Sequence, residues 1–294
     1  MKQAKRVLSV LLCLVLLLGV LPVSALAEDA ETPVEVTTLR DLQNALNAAA
    51  AENSGDTTIN LTADITLKEG ETWTPVDVDG YHGAGVVTLN GNDHTITGLN
   101  APLFGNVGTG SSGIVIKDLT LDTADITVDE DDANKNIGVG AFIQYAGAAD
   151  PVTLENCKLT NSSVKGGHWA GGLIGYTAGF SEIGNGERAS YVTLTNCSVT
   201  NSSVTSKGSV GGLIGHAGGD AWTYSTITDC TVSSCTLTST NTSDWRVGDV
   251  VGTANVGQVT VDQATVDHTK DNTRTQVNAT GEAIENGLVG RKAL

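Results

Sequence analysis

The sequence predicts an all-β fold, a right-handed parallel β-helix (solenoid) closed at its N-terminal end by a short capping helix. Three observations predict it. A block of thirteen residues recurs along the chain, its copies align into apolar columns with a fixed irregular spacing, and Gly and β-branched residues abound while aromatic residues make up only 4%. Such a composition favours many short strands joined by tight corners.

The repeat is explicit in two segments. Val152–Val164 and Val192–Val204 differ at three of thirteen positions, and weaker copies begin at Ile114, Ser225 and Val259. Aligning the five gives four columns: Ile114, Val152, Val192, Ser225, Val259; then Ile116, Leu154, Leu194, Ile227, Val261; then Leu119, Cys157, Cys197, Cys230, Ala264; then Leu121, Leu159, Val199, Val232, Val266. Within each pair of columns the residues lie two apart, whereas the pairs are separated by three. A continuous strand alternates its faces and cannot place both pairs inward. The extra residue is Asp118, Asn156, Asn196, Asp229 or Gln263, mostly a type that tolerates the left-handed conformation of a sharp corner. Two strands meeting at an Asn corner, with the same register in every copy, form part of one coil.

A second block completes each coil, in Ala170-Gly171-Gly172-Leu173-Ile174-Gly175 and Val210-Gly211-Gly212-Leu213-Ile214-Gly215, and more loosely at 102–105, 139–144, 247–252 and 287–290. Its stacked column is Leu103, Phe142, Leu173, Leu213, Val250 and Leu288, so coils run from 31 to 40 residues and about six are expected. Loops of different length must leave the cylinder.

Ahead of the repeats, Thr38 with Leu39, Asp41, Leu42, Leu46, Ala49 and Ala50 has helical spacing and a plausible N-cap. A helix there covers the first coil, as solenoid ends require. Earlier still, Lys2, Lys5 and Arg6 precede an apolar run from Val7 to about Leu21 that is short for a membrane span, and Ala25-Leu26-Ala27 offers small residues for cleavage. The expected organisation is therefore a signal peptide at 1–27, an N-terminal cap with its amphipathic helix at 28–56, and the β-helix at 57–294. Cys13 sits inside the apolar run and not at its end, which argues against a lipoprotein anchor.

Charge narrows the partners. The whole chain has a formal charge of -17; losing residues 1–27 removes three of 16 basic and none of 33 acidic residues, leaving 13 against 33. Nucleic acid and anionic lipid are poor partners for such a surface, and no segment after the signal is apolar enough to cross a membrane. An exported chain of this kind is expected outside the cell or on its surface.

The two glycine blocks, read as Gly172-Leu173-Ile174-Gly175 and Gly212-Leu213-Ile214-Gly215, resemble the bacterial GLUG-motif repeat family. The stretches Leu89–Leu99 and Trp73-Thr74-Pro75-Val76 resemble the segments that precede such repeats. This resemblance covers roughly residues 57 to 290 and implies an exported, adhesin-like surface protein more firmly than it implies any chemistry. Asp249 departs from the motif by standing where a Gly is expected.

Few constellations suggest chemistry. Gly108–Gly113 matches a dinucleotide fingerprint, but a strand follows it where a helix would be needed. Five arginines remain after cleavage, no set of acids recurs on one strand face, and His82, His94, His168, His216 and His268 occupy unrelated repeat positions, so no catalytic residue is assigned. The acidic run Asp129-Glu130-Asp131-Asp132 lies in a loop; Asp129, Asp131 and Asp132 supply hard oxygen ligands that suit Ca²⁺, and no other cofactor is expected. Cys157, Cys197 and Cys230 share a column and read as buried thiols, with Cys235 aligned to Ser162 and Ser202 instead. Trp169, Tyr176, Trp222, Tyr224 and Trp245 flank the glycine blocks, where flat rings beside polar groups can stack on sugars.

The function expected from these features is an exported cell-surface or extracellular module without enzymatic activity. Its role is adhesion, binding of a surface glycan or a host or cell-surface protein, or spacing. The alternative is a carbohydrate-active enzyme, a polysaccharide lyase or glycoside hydrolase, on the same scaffold.

Overall fold

The coils that begin at Ile114, Val152, Ser190 and Thr223 each turn through five short strands, more than the two strands and one glycine block visible in the repeat, whereas the two coils before them show three each among the described residues. The computed structural model describes residues 32–51, 54–78, 85–108, 113–128, 138–147, 151–178, 180–182, 186–188, 190–218, 223–240, 247–255, 259–276 and 289–293; the signal segment lies outside them. Pro33–Leu294 forms one compact unit.

The coil beginning at Val152 shows the plan. It passes along Val152–Glu155, Lys158–Thr160, Ser163–Gly166, Trp169–Gly171 and Ile174–Thr177. The next coil repeats it with Ser190–Thr195, Ser198–Thr200, Ser203–Ser206, Ser209–Gly211 and Ile214–Ala217. Stacking generates parallel sheets of eight, six, five, four and seven strands, a parallel β-helix as the sequence predicts. A small antiparallel pair, Phe180–Glu182 with Gly186–Arg188, stands in the chain between two of these coils.

Three of the four interior columns are in register. Val152 pairs with Ile114 and Val192, and Val192 with Ser225; Leu159 pairs with Leu121 and Val199. All but Val259 and Val261 in the first two columns are buried. The corner residues Asp118, Asn156, Asn196 and Asp229 have φ of 50–54°, as the extra residue demands. A second left-handed corner, missing from the sequence reading, follows at Thr123, Asn161, Asn201 and Ser234, with φ of 48–56°. It separates the six-stranded sheet from the five-stranded one.

After most of these corners stands a Ser or Cys that carries hydrogen bonds from rung to rung, with Leu119 and Ala124 as the exceptions. Ser162 Oγ accepts from the Ala124 N–H at 2.9 Å and Ser202 Oγ from the Ser162 N–H at 3.1 Å, while each hydroxyl donates to the carbonyl two residues back. The Ser202 N–H approaches the Cys235 sulfur in the same way. In the first-corner column the Cys197 N–H donates to Cys230 Sγ at 3.4 Å. All four described thiols are free and buried, and neighbouring thiols and burial push Cys197 and Cys230 far above the ordinary thiol range. They thus act as satisfied polar side chains as well as apolar filler. Cys235→Ser is expected to change stability by less than about 1 kcal/mol, because Ser occupies that column elsewhere. Cys235→Val, which leaves the Ser202 N–H without its acceptor, is expected to cost about 1–3 kcal/mol in urea unfolding.

The glycine block is a place where backbones touch. A Cβ on Gly171 would lie 2.6 Å from the Gly215 nitrogen and 2.7 Å from the Leu213 oxygen; one on Gly215 would lie 2.6 Å from the Gly175 oxygen. Neither residue has positive φ, so the requirement is space and not conformation. Leu103, Phe142, Leu173, Leu213 and Val250 form the buried column beside it; Leu288 lies outside the described residues. Asp249 sits at the end of this stack, next to Arg274 at 3.5 Å. Burial raises its carboxyl above the usual range, opposed by the Arg274 charge and Asn272.

The N-terminal cap is the helix α1, Leu39–Ala49, with Leu42, Leu46 and Ala49 buried. Thr38 caps it, accepting from the Asp41 N–H at 3.2 Å and donating to the Asp41 carboxylate at 2.7 Å. At the other end the reading of the fifth repeat copy needs correction. Gln263 forms no corner, and Ala264 and Val266 extend no interior column, because Gln263–His268 is a short helix, α2. Asp262 caps it and Thr265 turns inward, its Oγ1 accepting from the Cys230 N–H at 2.9 Å. A capping Asp three residues before a side chain that completes the polar ladder outweighs the weak remnant of a strand pattern.

Candidate functional site

The seven-stranded sheet brings polar and aromatic residues to one outward column. Asn106, Tyr145, Tyr176, His216 and Thr253 occupy successive rungs in register. Their immediate neighbours along the strands, Ala146, Thr177 and Ala217, are buried in the core, so alternation at the ends of these strands turns the rings outward. Trp169 reaches them from the start of the preceding strand of its own coil, across the narrow glycine corner. Because Gly171, Gly172 and Gly175 let the two strands lie so close, rings on separate sheets meet.

The geometry is that of a continuous aromatic platform. Trp169 stacks on Tyr176 with ring centroids 4.4 Å apart and planes 22° apart. Tyr145 continues the row at 5.4 Å from Tyr176. His216 lies 5.2 Å from Trp169 and 5.3 Å from Tyr176, and His168 meets Trp169 edge-on at 5.1 Å. Trp169, Tyr145, Tyr176 and His216 are partly buried and His168 is exposed. Rings held against one another in this way present a surface whose shape is fixed before a ligand arrives, and imidazole and phenol groups at its edge supply hydrogen bonds.

Of the residues singled out by sequence, Trp169 and Tyr176 come together here. Tyr224 lies elsewhere, on the outer face of the eight-stranded sheet, stacked on Tyr191 at 5.6 Å. Trp222, Trp245, Asp129, Asp131 and Asp132 lie outside the described residues. Sequence reasoning missed Tyr145, His168 and His216. His216 aligns with Tyr176 in the repeat, and that alignment was the available signal; His168 aligns with Gly208, so no ring recurs at its position.

A second feature is an open groove of about 580 Å³ along the second corner, lined by Asn161, Ser162, Asn201 and Ser202 among others. It carries hydroxyls and amides and no aromatic ring. Among the described residues no helix is long and apolar enough to span a membrane, and no cluster of three metal-ligating side chains occurs.

Halomucin of Haloquadratum walsbyi is 33% identical over 156 residues, which are 50% of this chain and 2% of that protein; the chain thus spans a very small part of its relative's length. The crystal structure of "a putative immunoglobulin A1 protease" from Bacteroides ovatus superposes with a TM-score of 0.53 at 15% identity, covering 90% of this chain and 85% of that one, which speaks to the fold alone. The GLUG motif matches residues 206–238. Residues 33–206, more than half of the chain, match the family described as "Putative pectate lyase-like adhesive domain", and the chain belongs to that family.

Proposed function

We propose that the protein is an exported adhesive module, acting outside the cell or at its surface, that holds glycans on the platform around Trp169 and Tyr176. Residues 1–27 would direct the export. The observation that carries the proposal is the stacked Trp169–Tyr176–Tyr145 row with histidines at its margin, an arrangement suited to the apolar face and hydroxyl rim of a sugar ring. Membership of an adhesive-domain family and a mucin-named relative support the same role, and the acidic surface disfavours nucleic acid and anionic ligands. Ca²⁺ at Asp129, Asp131 and Asp132 remains a separate proposal on which the platform does not depend.

The test is a glycan array probed with the protein from residue 28 onward, beside Trp169→Ala. Removing the central ring should weaken the bound glycans by about tenfold or more, the scale of one good aromatic contact, with an unaltered circular dichroism spectrum. Equal binding by both proteins would overturn the assignment of the platform. Release of reducing ends or unsaturated products from a polysaccharide panel would replace the adhesive role with catalysis.

A further inference from the structure

We infer a second glycan-binding surface, on the outer face of the eight-stranded sheet around Tyr191 and Tyr224, that takes an extended neutral polysaccharide lying along the cylinder. The inference rests on the reading of the protein as a glycan-binding module but not on the Trp169 platform, which occupies a different sheet.

Tyr191 is 52% exposed and Tyr224 37% exposed, although nearly all other large apolar side chains among the described residues are covered. They stand on adjacent rungs in exact register, rings 5.6 Å apart with planes 20° apart. A cross-strand tyrosine pair stabilises a sheet by only about 0.2–1 kcal/mol, a modest return for two rings left in water in an exported protein. Single exposed rings are ordinary, but a stacked pair is a patch.

The surface around the pair is hydroxylated and regular. Thr193 and Thr226 lie two residues further along the same two strands, on the same outward face, and the column they share continues through Thr153 on one side and Thr260 on the other. Thr58 and Thr88 extend it beyond Val115. Parallel rungs repeat every 4.7–4.9 Å or so, so a row of hydroxyls advances by roughly the span of one sugar and its linkage. A polymer lying along the row meets the same donor and acceptor at each rung, with one or two rings seated on the tyrosines.

Charge selects the class of polymer. The next outward column holds Lys117 between Asn90 and Glu155, with Glu35 further along it, one base against two acids, while the chain as a whole carries -17. An anionic polysaccharide would be repelled by that field and would find no cationic row to hold it.

The experiment is affinity electrophoresis of the protein from residue 28 onward through gels containing hydroxyethylcellulose, xylan, galactomannan or polygalacturonate. At least one neutral polymer should retard the protein and polygalacturonate should not. Tyr191→Ala with Tyr224→Ala should weaken retardation about tenfold, Thr193→Val with Thr226→Val severalfold, and Tyr191→Phe with Tyr224→Phe little, since the rings remain. Should the double alanine variant fail to fold, Tyr191→Ser alone and the valine pair carry the same comparison. Unchanged retardation of the folded tyrosine variants, absence of retardation by every neutral polymer, or retardation by polygalacturonate alone would overturn the inference. Loss of array binding in Trp169→Ala with unchanged retardation of the tyrosine variants would leave the adhesive reading standing and remove only this surface.

Discussion

Gly211→Ala is expected to destabilise the protein by about 3 kcal/mol or more, near the upper end of what a single added methyl costs in a packed interior. The added Cβ would meet the Gly252 nitrogen at 2.5 Å and the Val250 oxygen at 2.9 Å, and the Ile214 oxygen more closely still. These are backbone atoms of its own coil and the next, held by ladder hydrogen bonds such as Leu213 N–H to the Val250 carbonyl at 2.9 Å. Yielding at one would disturb several others, so no side-chain rotation relieves the contact. Gly70→Ala is the control. Gly70 has a φ of 82° and open space around its Cα, so alanine there meets only the left-handed penalty of about 1–2 kcal/mol. The urea midpoints of the two variants should differ clearly, with Gly211→Ala the lower. A solenoid is stabilised by contacts between neighbouring coils, and damage at this corner should therefore also lower the slope of the transition by uncoupling the coils on either side. Equal midpoints would mean that the glycine corner is less tightly packed than its geometry indicates.

The same corner explains why the fold was more legible in the sequence than the site was. An interior column needs one residue type at one register position in every coil, and that constraint writes itself into the chain as the runs Val152-Thr-Leu-Glu-Asn-Cys and Val192-Thr-Leu-Thr-Asn-Cys. The N-cap of α1 was equally visible, since Thr38, Asp41 and the spacing of Leu42 and Leu46 are all local. The second corner was present as Asn161-Ser-Ser and Asn201-Ser-Ser, but in the flanking coils it is Thr123 and Ser234, types that do not announce a left-handed residue. The helix α2 replaced a strand because a side-chain cap and one inward hydroxyl were available at Asp262 and Thr265, a tertiary circumstance. The aromatic platform combines one column, Tyr145, Tyr176 and His216, with Trp169 from another sheet, and that contact between sheets follows no column. Trp169 could be suspected as a ring near a glycine block, but its partner His216 belongs to the next coil and Tyr145, which stacks on Tyr176, to the preceding one, so the sequence around Trp169 names neither.

Asn196→Val is expected to cost about 2–3 kcal/mol, the second largest effect, and the comparison with Asn196→Gly separates its two sources. Asn196 holds a φ of 51°, and its Nδ2 donates to Asn156 Oδ1 at 2.7 Å. Asn156 Nδ2 in turn donates to Asp118 Oδ1 at 2.6 Å. A carboxylate can only accept, so Asp118 sets the direction of the amide ladder across these three rungs. Valine forfeits both features: a β-branched side chain in the left-handed region costs about 1–2 kcal/mol, and the lost side-chain bond adds about 1 kcal/mol. Glycine accepts the backbone conformation freely and loses only the bond, so Asn196→Gly should cost about 1 kcal/mol in the same urea titration. A glycine variant as unstable as the valine one would transfer the weight of the corner from backbone conformation to the amide ladder. A ladder that dominated in this way would also make Asn156→Gly the worse of the two glycine variants, since Asn156 both donates to Asp118 and accepts from Asn196, whereas the side-chain bond of Asn196 runs to Asn156 alone.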